Sequence, residues 1–145
     1  MNIVKGNNKI IVVLDTNILI SALFFGGKPR KIFELVLEEE IVGITSSYII
    51  FELKDVLRRR KFNINEEKIE EVTDLIKEYF KEFNPQTKLN LVKNNHPDNK
   101  ILSLAIDSKS DYLITGDKQH LLPLKKIKKT KIVSAEEFLA IENLF

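Results

Sequence analysis

The 145-residue chain contains no cysteine, which removes disulfides, Cys-ligated zinc or iron, and thiol nucleophiles from consideration. Any metal must be held by oxygens and at most by His96 and His120, the two histidines of the chain. No apolar run approaches the roughly 20 residues needed to cross a bilayer. Met1 to Lys9 (M-N-I-V-K-G-N-N-K) also lacks the apolar core of a signal peptide. These absences predict a soluble, cytoplasmic protein with no membrane contact. There is no G-x-G-x-x-G, which argues against a glycine-rich nucleotide fold, and no internal repeat or low-complexity segment.

What remains suits one domain. A 43% hydrophobic content is ample for a single core at this length, so the expected division is a tail over residues 1–9 and one domain over 10–145. The formal net charge of +2 is nearly balanced, but Lys125 to Lys131 (K-K-I-K-K-T-K) holds five lysines in seven residues. Such a run is either a solvated loop or a patch that attracts a phosphate backbone.

The stretch from Ile10 to Asn17, I-I-V-V-L-D-T-N, sets the organisation. An unalternating apolar run of this kind is what a strand buried on both faces of a parallel sheet looks like. Sites in open α/β sheets form beyond the carboxyl ends of the strands, where the strand order reverses. Asp15 stands there, although Asp, Thr and Asn are also favoured at helix starts, so capping is the competing reading.

The chain then alternates. A short apolar helix over Ile18 to Phe25 stops at Gly26-Gly27, and a second helix runs from about Arg30 to Glu39 with Pro29 in its first turn. Ile41 to Thr45 is the second strand. Ser46 and Ser47 can cap a helix over Tyr48 to Arg60, with Glu52 at the edge of its apolar stripe. Asn65 opens a long helix whose stripe, Ile69, Val72, Ile76, Tyr79, Phe80 and Phe83, reads as core and ends at Asn84-Pro85. Lys88 to Val92 is expected as an edge strand. Asp98 begins the next helix and shares a face with Ile101, Leu102 and Ala105, with capping again the alternative. Tyr112 to Thr115 is a fourth strand, with Gly116 allowing a sharp turn and Asp117 in the position that Asp15 takes after the first. Lys131 to Val133 is a fifth, and Ser134 to Glu137 is a capping box for a last helix ending near Leu144.

Alternation of strands and helices implies a parallel sheet with right-handed crossovers. In a doubly wound order of 3-2-1-4-5, the first and fourth strands are neighbours and Asp15 lies beside Asp117. Carboxylates gathered in one crevice repel, and are relieved by protonation or by a cation. With Glu52 and Asp98 added, four acids exceed what protonation relieves, and hard oxygen ligands favour Mg²⁺ or Mn²⁺. Two such ions about 4 Å apart can serve in-line displacement at a phosphodiester, one activating water and the other stabilising the leaving oxygen.

The set I-V-V-L-D-T-N-I-L-I-S-A-L, F-E-L-K-D-V-L, P-D-N-K-I-L-S-L-A and D-Y-L-I-T-G-D-K resembles the PIN-domain family over Ile10 to about Phe138. The likeness is greatest to the toxin components of toxin–antitoxin pairs, the VapC-like ribonucleases. The resemblance implies a three-layer α/β/α sandwich around a five-stranded parallel sheet, and a metal-dependent endoribonuclease. It carries the family's catalytic and metal-binding acids onto Asp15, Glu52, Asp98 and Asp117. Asn17 and Thr115 match its supporting polar positions, and Ser21 is a further one. The implied partners are an RNA substrate, a small antitoxin protein and a second copy in a homodimer. Lys118, Lys125, Lys126, Lys128 and Lys129 are the expected RNA contacts. Some relatives carry another acid shortly after the last one, where this chain has Gln119 and His120, a departure that bears on a second metal position.

Three rivals are weighed against this reading. An aspartyl-phosphate phosphatase wants a second acid two residues after Asp15, where Asn17 stands. A receiver domain needs an acceptor Asp after its third strand, and Leu91 to Asn95 offers none. A PIN fold that binds RNA or protein without cutting differs only at the metal site, and all four acids are present.

Overall fold

Apolar residues with branched side chains form the central strand, and the remaining strands are laid out on either side of it. The computed structural model describes residues 4–5, 8–88 and 96–144. In chain order the strands and α-helices are β1 (Val4–Lys5), β2 (Asn8–Lys9), β3 (Ile11–Leu14), α1 (Thr16–Phe24), α2 (Gly27–Leu37), β4 (Val42–Thr45) and α3 (Ser47–Leu57). After these come α4 (Glu66–Tyr79), β5 (Lys81–Glu82), α5 (Asp98–Asp107), β6 (Tyr112–Ile114), β7 (Lys126–Ile127), β8 (Thr130–Val133) and α6 (Ala135–Ile141).

The main sheet has the order β5-β4-β3-β6-β8-β7. Val12 pairs with Gly43 of β4 and with Tyr112 of β6, both in parallel, so β3 is central. Val12, Val13 and Leu14 are fully buried, as a strand covered on both faces requires. The connections from β3 through β5 run one way along the sheet and the return to β6 runs the other. With right-handed crossovers this puts α1 to α4 on one face and α5 on the opposite one. The last helix, α6, then packs against α2. The five parallel strands therefore keep the expected 3-2-1-4-5 order around the switch point between β3 and β6.

Four expectations are corrected. The strand that pairs with Ile44 and Thr45 of β4 is Lys81–Glu82, earlier than expected, and residues 89–92 of the strand expected over Lys88 to Val92 lie outside the described residues. The position of Lys81–Glu82 follows from Phe80, which leaves the helical path with extended backbone angles. The ring is buried, packs near Phe33 at 5.9 Å, and covers Gly43, where any Cβ would stand 2.6 Å from it. Burial of that one ring ends α4 at Tyr79 and puts the next two residues on the sheet edge. Tyr79 and Phe83, read as core, are both 38% exposed.

Second, a sixth strand, β7, pairs antiparallel with β8. The lysine run is thus an edge hairpin, with Lys128 in the left-handed region (φ 52°) at its turn. Third, the amino-terminal tail contains an antiparallel pair, Val4 with Lys9 and Lys5 with Asn8. Fourth, Gly116 adopts no left-handed conformation, and a Cβ there would meet nothing within 4 Å. The turn after β6 is made by Asp117 instead, whose Oδ1 accepts the N–H of Gln119 and of His120, both at 2.9 Å.

Helix ends follow local chemistry. Gly26 and Gly27, with φ of 73° and 65°, make the sharp junction between α1 and α2 that residues with a Cβ resist. Arg30 secures it by donating to the Ala22 and Leu23 carbonyls at the end of α1. At α6 the capping box is complete, with Ser134 Oγ accepting from the Glu137 N–H and Glu137 Oε1 from the Ser134 N–H. Among the described residues no helix is long and apolar enough to cross a membrane.

Candidate functional site

Asp15 immediately follows β3 and is the N-cap of α1, so the capping reading holds. It accounts for only half of the side chain. Oδ1 accepts the Ile18 N–H at 2.9 Å, while Oδ2 accepts a hydrogen bond from the Thr115 hydroxyl on the neighbouring strand's end. The residue is 6% exposed. Burial pushes its carboxyl up to about 6 against the pull of those two hydrogen bonds, and the nearby Asp98 and Asp117 charges add to the rise.

Thr115 joins two acids. Its Oγ1 also accepts the Asp117 N–H at 3.0 Å, so one buried hydroxyl spans the ends of β3 and β6. Asp117 Oδ1 is occupied by the two turn amides, and Oδ2 lies 3.8 Å from His120 Nδ1. Burial opposes ionisation of Asp117, but the His120 amide and a side-chain hydrogen bond with Asp98 outweigh it, and its carboxyl sits below the ordinary range. Asp98 takes the opposite course. Burial first, then the hydrogen bond and charge of Asp117, push it up to about 6. The two carboxyls titrate as a pair, and a proton taken up by that pair favours Asp98 over Asp117.

Asp98 stands in the first turn of α5, whose N-cap is Pro97, and among the described residues its side chain accepts no backbone amide. The imidazole of His96 does that work, its Nδ1 accepting the Asp98 N–H at 3.1 Å. Asp98 Oδ2 is fully buried and has no hydrogen-bond partner among the described residues. A buried carboxylate oxygen left in this state is costly.

Glu52 reaches the same region from α3. Thr16, the first residue of α1, donates its hydroxyl to Oε1, and Tyr48, one turn earlier in α3, donates to Oε2 at 3.2 Å. Burial and then Glu52 push the Tyr48 phenol up to about 12, so it remains protonated and a donor. The Lys100 ammonium lies over the Tyr48 ring at 4.4 Å and brings positive charge to the rim.

The structure therefore gathers Asp15, Glu52, Asp98, Asp117 and Thr115 at the carboxyl ends of β3, β4 and β6. It does not gather all the other candidates. Asn17 is exposed, and among the described residues no hydrogen bond ties it to the acids. Ser21, half-buried, is on the same helix face one turn further along. Lys118 is exposed beside Asp117, and Lys125 is opposite Ile132 on the hairpin. Lys126 pairs with Lys131. The turn residues Lys128 and Lys129 lie at the amino-terminal ends of the strands, the far end of the sheet from the acids, where Lys129 meets Asp111 at 3.6 Å. A cavity of about 390 Å³ runs along β3, β4 and β5, lined in part by Ile11, Val42, Ile44 and Phe83, and reaches Asp111 and Lys129. It contains none of the four acids.

Two residues of the cluster escaped the sequence reading: Thr16 was hidden between two polar candidates, and Tyr48 carried no motif. His96 and His120 were admitted as possible metal donors but not placed at the site, although they stand two residues before one acid and three after another. Together with Asp98 they form a group whose ligand atoms all lie within 4.8 Å of one another. The orphaned Asp98 Oδ2 and this donor set of one carboxylate and two imidazoles both fit a divalent cation.

Comparison with known proteins agrees with this topology. A family model described as PIN domain matches residues 11–119. An uncharacterized protein of Methanocaldococcus jannaschii, MJ1680, is 39% identical over 114 residues, which is 76% of this chain and 72% of the relative. The solved structure of the PIN domain endonuclease Utp24 is similar in fold, with a TM-score of 0.53 and 19% identity, covering 86% of this chain and 84% of that one. The family model covers most of the chain, and the chain belongs to the PIN domain family.

Proposed function

We propose that the protein is a metal-dependent endoribonuclease that hydrolyses RNA phosphodiester bonds, with Asp15, Glu52, Asp98 and Asp117 holding Mg²⁺ or Mn²⁺. The observation that carries this reading is that Asp15, Asp98 and Asp117 raise one another's charge cost, with Glu52 held by Thr16 next to Asp15, and that among the described residues the buried Asp98 Oδ2 has no hydrogen-bond partner. PIN domains are generally nucleases, and the endonuclease Utp24 shares the fold.

Bound divalent ions supply Lewis acidity for water attack and for the leaving oxygen of a phosphodiester. The chain's own residues supply the positioning. Thr115 and the Ile18 amide fix Asp15, and two turn amides fix one oxygen of Asp117. Two hydroxyls orient Glu52. Such fixed carboxylates lose little freedom when a cation binds, which favours a defined geometry over mere attraction.

The same reading makes the protein the toxin of a toxin–antitoxin pair, acting in the cytoplasm as a homodimer and silenced by a small antitoxin. The family relationship supports this role, and a short neighbouring reading frame for a partner would test it. The activity itself is tested by incubating purified protein with single-stranded RNA and Mg²⁺ or Mn²⁺. Internal cleavage that stops with chelator and with Asp98→Asn is expected. Absence of cleavage together with absence of binding of either ion at millimolar concentration overturns the proposal.

A further inference from the structure

The oxygen cluster has a nitrogen edge. His96 and His120 enter it from the segments before α5 and after β6, with ring centroids 4.5 Å apart. Their Nδ1 atoms lie 3.3 Å and 3.7 Å from the same atom, Asp98 Oδ2. These separations are long for charge-assisted hydrogen bonds, which close to about 2.7–2.9 Å. They match the spacing of two donors on one ion, since ligands about 2.1 Å from a tetrahedral centre stand about 3.4 Å apart. His96 Nδ1 accepts the Asp98 N–H, so the ring's proton is on Nε2, and an ion bound at Nδ1 takes the place of that amide hydrogen bond. The oxygen that both rings approach is buried and has no hydrogen-bond partner among the described residues.

We infer that His96, Asp98 and His120 form a mixed imidazole–carboxylate site for a first-row transition-metal ion, a site that Mg²⁺ fills poorly. The inference deepens the metal-dependent reading above and rests on it for the role of the ion in cleavage, though not for binding. Imidazole suits Zn²⁺, Cu²⁺, Fe²⁺ and Ni²⁺, whereas Mg²⁺ keeps to oxygen ligands and water. Asp117 Oδ2, 3.8 Å from His120 Nδ1, completes the surround and links this position to the acids. The chain thus offers two chemically distinct positions side by side, one of oxygens alone and one bearing nitrogen.

The test titrates the full-length, metal-free protein without RNA. Calorimetry with Zn²⁺ and with Mg²⁺ is paired with visible absorption of the Co²⁺ form, whose d–d bands report nitrogen ligation. Zn²⁺ is expected to bind at least about a hundredfold more tightly than Mg²⁺, in line with the general order of metal affinities. His96→Ala and His120→Ala should each weaken Zn²⁺ by at least about tenfold and alter the Co²⁺ bands, with Mg²⁺ affinity unchanged. His120→Gln serves as a milder variant, and circular dichroism checks that each folds. Equal Zn²⁺ and Co²⁺ binding by wild type and the histidine variants overturns the inference, as does equal affinity of the wild type for Zn²⁺ and Mg²⁺. Histidine-dependent Zn²⁺ binding without RNA cleavage under any metal would leave the site standing and defeat the nuclease reading. Cleavage with histidine-independent metal binding would do the reverse.

Discussion

Thr115 donates its hydroxyl to Asp15 and accepts the amide of Asp117 on the same oxygen, so a single buried side chain ties together the ends of two adjacent strands. Thr115 and Asp15 are 100 residues apart in the chain, and the parallel pairing of β3 with β6 makes the contact possible. Thr115→Val keeps the shape and removes the hydroxyl, leaving Asp15 Oδ2 and the Asp117 amide unpaired. The expected cost is about 1–3 kcal/mol, measured by urea unfolding, with a parallel loss of RNA cleavage. Thr115→Ser should restore most of both. An unchanged unfolding midpoint in Thr115→Val would show that the bridge carries no weight.

Asp15→Asn is expected to abolish cleavage while raising or preserving thermal stability. Burial holds the Asp15 carboxyl at about 6, against its ordinary value of 3.8. Between about pH 4 and pH 6 the folded chain therefore keeps a proton that the unfolded chain has released. The corresponding stabilisation is complete below the unfolded pKa and is lost as pH rises through the folded one. Two units correspond to up to about 3 kcal/mol. The melting temperature of metal-free wild type should thus fall behind that of Asp15→Asn as pH rises through this window, and match it near pH 4. A variant that cleaves RNA but melts lower at pH 7 would leave Asp15 as a helix cap alone.

Gly43→Ala probes the packing that places β5. The added methyl would stand 2.6 Å from the Phe80 ring and 2.8 Å from Val36, both in the core. Overpacking of this kind costs about 1–3 kcal/mol, read by thermal or urea unfolding. Adding Phe80→Leu should recover part of the loss. Additive destabilisation in the double variant would mean that the ring does not press on this glycine.

The lysines divide by position. Lys118 is beside Asp117, whereas Lys128 and Lys129 turn at the opposite end of the sheet. Lys118→Gln should reduce the slope of log affinity for single-stranded RNA against log salt by about 0.7. Lys128→Gln with Lys129→Gln should leave the slope unchanged. A flattened slope from the second pair would place the RNA path along the hairpin and away from the acids.

The one-dimensional pattern determined whatever depends on neighbours in the chain. The unbroken apolar run before Asp15 marked a doubly covered strand, Ser134 and Glu137 marked a helix start, and strand–helix alternation marked a parallel sheet with its switch point between Asp15 and Asp117. Each of these signals is written within a few residues or in the order of elements. Tertiary packing decided the rest. Phe80 leaves α4 because a glycine on β4 opens a place for its ring, and nothing near Phe80 in the sequence records Gly43. The lysine run became a strand because β8 had a free edge, and its turn fell at the far end because an antiparallel partner must run back down the sheet. Thr16 met Glu52, and His120 met Asp98, through contacts between separate elements. Hydrogen bonds and burial act through space, and only the folded chain brings those atoms within reach.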